Sequence, residues 1–407
     1  MDAGAVPAGI LTAVTTTQPG TPGSQASLRE ANRGRVVDAV RRHGALTQVE
    51  VATATGLSPA TVSNIVRELV ALDVLAVQPT SRSGRRAQQV SFARAAGVCV
   101  GVDFGYRHLR VAVADMSQHL LAEQRLPLPA NHRADEGLDR AALLVMELLE
   151  QVGSSTTEVV GVGLGVPAPV DVLAGEIGSA TILPGWGGIR LADQLGSRLG
   201  VTVHVDNDAN LGALAEVMHG AARGCTDAAY IKVSHGVGSG LVVGGQVFRG
   251  HGGTAGEIGH VSIDENGPVC RCGNRGCLET FVRAPVLLES LRATHGNLSL
   301  REVTNRARGG DPGCRRVVAD AGRHIGVAAA SLCNLLNPQR IVVGGGLAAA
   351  GDLLLDPLRD VVNRFAIPSA AERVTVTVSE LAERAEVIGA VALVAERAEV
   401  MLGGPIR

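Results

Sequence analysis

A dense group of side chains able to bind metal lies between residues 260 and 277. The string CRCGNRGC supplies the thiols of Cys270, Cys272 and Cys277 within eight residues, and His260 lies ten residues upstream. Three thiolates and one imidazole complete a tetrahedral shell with no open position, which is the preference of structural zinc. The spacing therefore predicts a structural Zn²⁺ bound by His260 and these cysteines. A set of reduced cysteines without metal is the alternative.

Carboxylates and amides are concentrated around the cysteines. The string VDNDAN follows a β-branched run and places Asn207 and Asp208 where α/β sheets bind their ligands. Glu257 lies in the Gly-rich string HGGTAGEIGH, and Glu279 follows the last cysteine. Groups that accept and donate paired hydrogen bonds suit the hydroxyls of a sugar. Singly, each acid would be a solvated surface group, but together they predict a site for a polyol.

A different chemistry is indicated between residues 46 and 69. Thr47 and Glu50 have the spacing of a capping box at a helix start. Gly56 allows the tight turn between two crossed helices. Ser58 would cap the second helix, with Pro59 at its first position. These signals predict a helix-turn-helix.

The second helix of this unit has one apolar face and one polar face. Its apolar stripe is Val62, Ile65, Val66 and Leu69. Two strands are predicted after it, at residues 74–78 and 88–92, joined by a basic loop that reads as a wing. The residues expected to contact DNA are Ser58, Ala60, Thr61, Ser63, Asn64 and Arg67 on the helix and Arg82, Arg85 and Arg86 on the wing. A three-helix protein-interaction module with a solvated basic loop is the alternative.

Charge is distributed unevenly along the 407 residues. The formal net charge is -2, yet residues 28–95 contain ten arginines against five acidic residues. A basic N-terminal region followed by an acidic remainder is typical of a module that binds a polyanion, joined to a domain that binds none. The scattered remaining cysteines form a poor disulfide framework and suggest a reducing compartment. With no signal peptide and no apolar segment of membrane-spanning length, we expect a cytoplasmic protein without a membrane partner.

The chain divides into three predicted parts. Residues 1–27 are rich in Thr, Pro, Gly and Ala and are expected to form a disordered tail. Residues 28–95 are expected to form a mainly α winged helix-turn-helix. From residue 96 to about 400, β-branched runs alternate with helical patterns and Gly-rich turns, which predicts an α/β domain with a buried sheet.

The strings AGEIGH, CRCGNRGCLE, VDNDAN and NLLNPQRIVVGGG resemble the signatures of the ROK family (repressors, open reading frames, kinases). The resemblance covers about residues 28–400 and implies an actin-like (ribonuclease H-like), two-lobed domain with a sugar in its cleft. It implies that the sugar ligands are Asn207, Asp208, Glu257, His260 and Glu279. In kinase members the residue matching Asp208 is the general base. His260 would bind zinc through one ring nitrogen and face the sugar with the other.

The departures from the family pattern concern phosphate binding. Kinase members carry a first phosphate loop D-x-G-G-T-K, whereas this chain reads Asp103-Phe-Gly-Tyr-Arg-His108. Such loops present small residues and backbone amides to phosphate oxygens, so Tyr106 and Arg107 add bulk at the close approach. The second loop, usually G-T-G, reads Ser234-His-Gly236. Pro167-Ala-Pro169 also departs from the family's P-G-P. This departure puts in doubt the contacts that the backbone of this segment makes to the sugar in the family.

These features predict a transcriptional regulator that responds to a sugar without phosphorylating it, with no catalytic residue. Family members with an N-terminal winged helix-turn-helix are typically repressors. The expected partners are a double-stranded DNA operator, a small sugar effector and further copies of the chain in a homodimer or homotetramer. One alternative is an ATP-dependent sugar kinase, in which Asp208 would be catalytic. Another is a DNA-bound protein that has lost sugar sensing and responds to a protein partner.

Overall fold

The computed structural model describes residues 25–72, 74–82, 85–93, 96–129, 132–171, 176–178, 183 and 185–402. Residues 1–24 of the predicted tail lie outside this part of the chain, and helix α1 begins at Gln25. Within the described residues, no helix combines the length and the apolar character needed to cross a bilayer.

The N-terminal unit is a winged helix-turn-helix. Its helices pack on a three-stranded sheet of order β1-β3-β2. The β2–β3 hairpin is longer than expected from sequence, with Arg82 paired to Arg85 at its tip. The elements are α1 (Gln25–His43), β1 (Leu46–Thr47), α2 (Gln48–Thr55), α3 (Pro59–Ala71), β2 (Leu75–Arg82) and β3 (Arg85–Phe92).

The caps of this unit agree with the sequence signals. Thr47 and Glu50 form the capping box of α2, and Gly56 ends the helix with a φ of 69°. Ser58 accepts a hydrogen bond from the amide of Thr61, and Pro59 is the first residue of α3. Val62, Ile65, Val66 and Leu69 are buried, so the orientation of α3 follows from its apolar stripe.

The first lobe contains a five-stranded sheet of order β10-β7-β4-β5-β6, in which β4, β7 and β10 are parallel. A small β8–β9 ribbon lies beside it. The elements are β4 (Val98–Gly105), β5 (His108–Asp115), β6 (Leu120–Pro127), α4 (Ala134–Gln151), a 3₁₀ turn (Thr156–Glu158), β7 (Val159–Val166), β8 (Val170–Asp171), β9 (Glu176–Ile177), α5 (Leu191–Leu199), β10 (Val203–Asn207) and α6 (Asp208–His219).

The second lobe has a sheet of order β13-β12-β11-β14-β15. Each sheet consists of an antiparallel three-strand meander extended by two parallel strands, so the two lobes share one topology. The elements are β11 (Ala228–Val233), β12 (Val237–Val243), β13 (Gln246–Phe248), α7 (Glu279–Val282), α8 (Ala284–His295), α9 (Leu300–Arg308), α10 (Pro312–Leu336), β14 (Arg340–Gly344), α11 (Asp352–Phe365), α12 (Pro368–Ala371) and β15 (Thr375–Val378), with 3₁₀ turns at Ile258–His260, Gly346–Ala350 and Ala382–Arg384.

The last helix, α13 (Ala385–Leu402), returns from the second lobe to the first. It packs closely on α6, because a Cβ on Gly389 would lie 1.9 Å from the carbonyl oxygen of Leu211. It also packs closely on β7, since a Cβ on Gly163 would lie 2.0 Å from the carbonyl oxygen of Ala390. Such backbone contacts couple the position of α13 to that of the sheet and of α6.

The core of the winged unit is continuous with the first lobe. Its buried residues join one cluster with the outer face of β4 and β5 and with one side of α13. The members of this shared cluster include Val36, Val40, Val51, Leu75, Val90, Phe92, Cys99, Ala112, Ala114, Met116, Val387, Val391, Val394 and Ala395. The winged unit, the first-lobe sheet and α13 therefore share one apolar core.

Candidate functional site

The four predicted metal ligands converge. One ligand atom from each of His260, Cys270, Cys272 and Cys277 lies within 4.8 Å of the others. The Sγ atoms of Cys272 and Cys277 are 3.7 Å apart, and Cys270 Sγ is 3.6 Å from His260 Nδ1. Tetrahedral zinc with ordinary bond lengths would separate two sulfurs by about 3.8 Å and a sulfur from a nitrogen by about 3.6 Å. The residues therefore fit a zinc ion.

The loop that carries the cysteines is held by its backbone. Isolated β-bridges join Ser262 to Cys277 and Val269 to Arg275, and Gly276 takes a φ of 65° between them. His260 Nε2 lies 4.0 Å from a carboxylate oxygen of Glu257, on the side of the ring away from Cys270. One imidazole nitrogen thus lies beside Cys270, and the other lies beside Glu257 in the cleft.

The junction of β10 and α6 positions two predicted sugar ligands. Asn207 caps α6 by accepting from the amides of Ala209 and Asn210, and its Nδ2 donates to the carbonyl of Ala168 at 3.1 Å. Asp208 is the first residue of the helix, and its carboxylate accepts from Lys232 Nζ at 2.8 Å. Both side chains line a cleft between the lobes with a volume of about 1280 Å³.

Glu257 enters the same cleft from the second lobe. Gly256, with a φ of 92°, packs so closely on β12 that a Cβ there would lie 2.1 Å from the carbonyl oxygen of Ser239. Burial raises the pKa of the Glu257 carboxyl to about 7, and the charges of Asp208 and Glu279 act in the same direction. The loop thus presents a partly buried acid that can donate or accept a hydrogen bond near neutrality.

Glu279 lies at the start of α7 and is buried. Its carboxylate pairs with the guanidinium of Arg271, a residue of the cysteine-rich loop, and accepts from the amide of Val237 at 3.4 Å. Arg271 also lines the cleft. The cysteine-rich loop therefore supplies the cation that compensates the charge of Glu279, one of the expected sugar ligands.

An ion pair joins the two lobes beside Asn207 and Asp208. Arg249, just after β13, donates from Nε and Nη2 to Asp206 Oδ2 at 2.8 and 2.6 Å. Asp206 also accepts from Asn210 Nδ2 at 2.9 Å. The loop leading to Glu257 is thereby fixed to the end of β10, beside Asn207 and Asp208.

Lys232 lies at the centre of a buried charge network. Its ammonium is 2.8 Å from Asp208 and 3.0 Å from Glu386, in the first turn of α13. The exposed fractions of the Lys232, Asp208 and Glu386 side chains are 13, 8 and 4%. Burial raises the pKa of the Asp208 carboxyl, Glu386 and Asp103 raise it further, and Lys232 opposes them. We call Asp103, Asp208, Glu386 and Lys232 the acidic corner.

The two phosphate loops meet across the cleft. Tyr106, in the β4–β5 turn, contacts the ring of His235 in the β11–β12 turn, with a centroid distance of 4.6 Å. Asp103 accepts a 2.9 Å hydrogen bond from His108 Nε2. Burial would raise the pKa of Asp103, but the hydrogen bond and charge of His108 together with Lys232 lower it. The residues that depart from the family pattern thus place the rings of Tyr106 and His235 between the two loops. They also pair His108 with Asp103, the acid that begins the first loop.

The residues of α3 predicted to contact DNA lie on its solvent-facing side. Ser58, Ala60, Asn64 and Arg67 are exposed, and Thr61 and Ser63 are half-buried. Arg67 Nη1 donates to Asn64 Oδ1 at 3.2 Å, which aligns the two side chains on one face. The backbone of Arg82, Arg85 and Arg86 lies at the hairpin tip, but their side chains lie outside the described part of the structure.

Several site residues were missed by sequence reasoning. Lys232 carried a signal, since it is the sole lysine of the chain. Glu386 also carried a sequence signal, because it is an acidic residue in the first turn of an apolar helix. No sequence signal assigned the roles of Asp206, Arg249 and Arg271, because their partners lie on other loops.

Comparison with known proteins agrees with this geometry. A model of the ROK family matches residues 99–397. The chain belongs to the ROK family. A model of the MarR family matches residues 31–86, so this ROK protein carries a MarR-type winged helix-turn-helix before its α/β domain.

Relatives of this ROK protein include named transcriptional regulators. It is 30% identical to the DNA-binding transcriptional dual regulator NagC of Escherichia coli (strain K12), over 92% of this chain and 96% of the relative. It is 29% identical to a putative xylose repressor of Caldicellulosiruptor sp., over 91 and 97% of the two chains.

Solved structures confirm the fold. A ROK family transcriptional regulator, described as a homologue of the E. coli MLC protein, matches with a TM-score of 0.74 at 23% identity, over 91% of this chain and 97% of that one. A ROK family glucokinase from Streptomyces griseus, in complex with glucose and AMPPNP, matches with a TM-score of 0.66 at 28% identity. That match covers 73% of this chain and 99% of the glucokinase, so it extends over the α/β domain.

Proposed function

We propose that this ROK protein is a sugar-responsive DNA-binding transcriptional regulator, most simply a repressor, that binds a sugar in its cleft without phosphorylating it. Support comes from the winged unit and from relatives named as a transcriptional dual regulator and as a putative xylose repressor. It also comes from five side chains that line one cleft, namely Asn207, Asp208, Glu257, His260 and Glu279. These five residues are the proposed sugar ligands. A protein that acts on DNA in this way would work in the cytoplasm.

One observation carries the proposal against a kinase. The rings of Tyr106 and His235 contact each other at the two turns where kinases of the family carry their phosphate loops. A phosphate loop needs small residues and open backbone amides at the phosphate. The ion pair of Asp208 with Lys232 leaves lone pairs on Asp208 Oδ1, so that pair does not decide between the two functions. The groups for holding hydroxyls remain, whereas the close approach of a phosphate to the two turns is obstructed by bulky side chains.

A zinc ion would support this function by holding the cysteine-rich loop in place. Bound by His260, Cys270, Cys272 and Cys277, it would complete its shell with protein atoms alone and fix the loop that carries Arg271. Its contribution is to hold His260 and Arg271 in position beside the sugar. The chain's own side chains make the contacts with the hydroxyl groups.

The path from cleft to DNA runs through α13. Its first turn places Glu386 against Lys232 in the cleft. Its Val387, Val391 and Val394 belong to the apolar cluster that joins the first-lobe sheet to the winged unit. A sugar that binds one arrangement of the lobes more tightly would shift α13 and with it the winged unit. In a two-fold dimer this would change the fit of two winged units to a pseudo-palindromic operator.

Gel shifts with the protein's own upstream DNA, repeated with a panel of monosaccharides, test the proposal. We expect specific binding whose affinity changes with one sugar. An ATP-coupled assay with the same panel should detect no turnover. Turnover that disappears in Asp208→Asn would establish the kinase instead. DNA binding with no heat from any sugar in calorimetry would favour a regulator controlled by a protein partner.

A further inference from the structure

We propose that His295, Asp311 and Cys314 bind a zinc ion at a site separate from both the cleft and the cysteine-rich loop. One ligand atom from each of the three residues lies within 4.8 Å of the other two. His295 ends α8, whereas Asp311 and Cys314 lie at the start of α10, so two helices contribute ligands. None of the three lines the cleft. The site is therefore independent of the proposed sugar ligands.

The hydrogen bonds around His295 determine which of its ring nitrogens carries a hydrogen. The hydroxyl of Thr294 donates to the carbonyl of Leu291 at 3.2 Å, so its single hydrogen is committed. The same hydroxyl oxygen lies 2.7 Å from His295 Nδ1 and must accept there, which places the ring hydrogen on Nδ1. In a neutral imidazole the other nitrogen, Nε2, then carries a lone pair.

This lone pair faces the carboxylate of Asp311. Nε2 lies 3.1 Å from both Oδ1 and Oδ2. A nitrogen lone pair and a carboxylate repel each other at this distance, so a cation must lie between them. That cation is either a second ring proton, which makes an ion pair, or a metal ion. The sulfur of Cys314 favours the metal, because it supplies a third ligand at the same point and an ion pair has no use for it.

The three side chains are held in position by the surrounding backbone. Asp311 Oδ1 accepts from the amide of Cys314 at 2.8 Å, which fixes the carboxylate at the start of α10 and leaves Oδ2 for a metal. Gly313 packs so closely on the imidazole that a Cβ there would lie 2.8 Å from His295 Cε1. Thr294 orients the ring through Nδ1, as a partner on the second nitrogen does for metal-binding histidines in general.

The set of ligand atoms fits zinc. Nitrogen, oxygen and sulfur together suit Zn²⁺, whereas Ca²⁺ and Mg²⁺ take oxygen ligands. Tetrahedral zinc with ordinary bond lengths would separate a nitrogen from an oxygen by about 3.4 Å, close to the observed 3.1 Å. Cys314 is fully buried and would release its thiol proton on binding. The side chains of His295 and Asp311 are 15 and 27% exposed, so a water molecule can complete the shell from their side.

The zinc content of the full-length protein tests the site. The protein is equilibrated with zinc, passed over a chelating resin and measured by inductively coupled plasma mass spectrometry. We expect Asp311→Asn and Cys314→Ala each to contain one zinc per chain fewer than the unmodified protein. Asparagine caps a helix as well as aspartate does, so Asp311→Asn removes a charged ligand and keeps the start of α10. Because the readout is a difference, it does not depend on the zinc held by the cysteine-rich loop.

Cys333→Ala is the matched control. Cys333 is a second buried cysteine of α10, near the other end of the helix, and its removal should leave the zinc content unchanged. Cobalt provides an independent readout, since a thiolate bound to Co²⁺ gives a charge-transfer absorption. After loading with Co²⁺, this absorption should decrease in Cys314→Ala and remain unchanged in Cys333→Ala.

Each result supports or overturns the site. Equal zinc content in the unmodified protein, Asp311→Asn and Cys314→Ala would overturn it, and the cation facing Asp311 would then be a second proton on His295. An equal loss in Cys333→Ala would overturn it too, because the loss would then follow from disturbing α10. If Cys314→Ala does not fold, the zinc content of Asp311→Asn decides alone.

Discussion

At the scale of single residues, the ion pairs of Lys232 connect three elements, namely β11, α6 and α13. The side chain holds together two carboxylates that would otherwise repel each other inside the protein. The residue therefore contributes to stability and to the electrostatics of the cleft at the same time.

Lys232→Met should be strongly destabilising. Removing one partner of a buried ion pair leaves uncompensated charge and typically costs about 3–5 kcal/mol. Adding Glu386→Gln should recover part of this loss, because it removes one of the two orphaned carboxylates. Urea unfolding of the single and double variants measures both effects. Additive losses in the double variant would show that the two side chains are not coupled.

Two polar residues of the DNA-binding unit should behave differently. Asn64 is exposed on α3 next to Arg67, so Asn64→Ala should change sequence preference and cost about 1–3 kcal/mol on the preferred operator. Arg85→Ala on the wing should weaken binding uniformly and lower the salt slope by about 1. Gel shifts on operator variants at several salt concentrations compare them. Equal loss on every operator for Asn64→Ala would contradict base reading.

Residue-scale prediction from sequence succeeds where the signal is local. The capping box at Thr47, the turn at Gly56 and the apolar stripe of α3 all depend on neighbours within a few positions. The convergence of the three cysteines and His260 also follows from a short spacing. The pairing of Lys232 with Glu386 could not be predicted, because it requires knowing that α13 returns to the cleft.

At the scale of elements, α13 joins the cleft to the apolar cluster that the first lobe shares with the winged unit. No pattern in the sequence indicates that α6, the first-lobe sheet and Lys232 would all contact this one helix. The hairpin similarly extended beyond the predicted strands, since the residues near its tip lack the apolar alternation that marks a strand. Pairing between β2 and β3 extends both strands to residues whose sequence shows no alternation of apolar and polar side chains.

Val391→Ala should weaken the link without altering the sugar site. Val391 is 1% exposed in the cluster shared with the winged unit, and truncation leaves a cavity there. We expect the sugar affinity to be retained and the sugar-dependent change in DNA affinity to shrink. Val318→Ala, in the core of the second lobe, is the matched control. An unchanged response in Val391→Ala would argue that another element carries the signal.

At the scale of the whole molecule, two lobes of one topology enclose the cleft and one winged unit is attached to the first lobe. Because a single winged unit reads one half-site, we expect a two-fold assembly of this chain on a two-part operator. Ligand-dependent change in the relative position of the two winged units would then control affinity.

The spacing of the half-sites should be critical. Inserting about 5 base pairs rotates one half-site by roughly half a helical turn, since B-DNA repeats about every 10–10.5 base pairs. We expect affinity to fall to the non-specific level in gel shifts, while the same number of substitutions in the spacer has a small effect. Undiminished binding to the expanded operator would show that one half-site suffices or that the winged units are free to reorient.

The presence of one lysine in 407 residues has a practical consequence. Growth on lysine labelled with ¹⁵N at Nζ would introduce the label at a single residue, Lys232, whose raised pKa keeps the ammonium protonated. Because Lys232 contacts both Asp208 and Glu386, its ammonium resonance would report the environment of the cleft in a molecule of this size. A spectroscopic probe is thus already encoded at the position where ligand and helix meet.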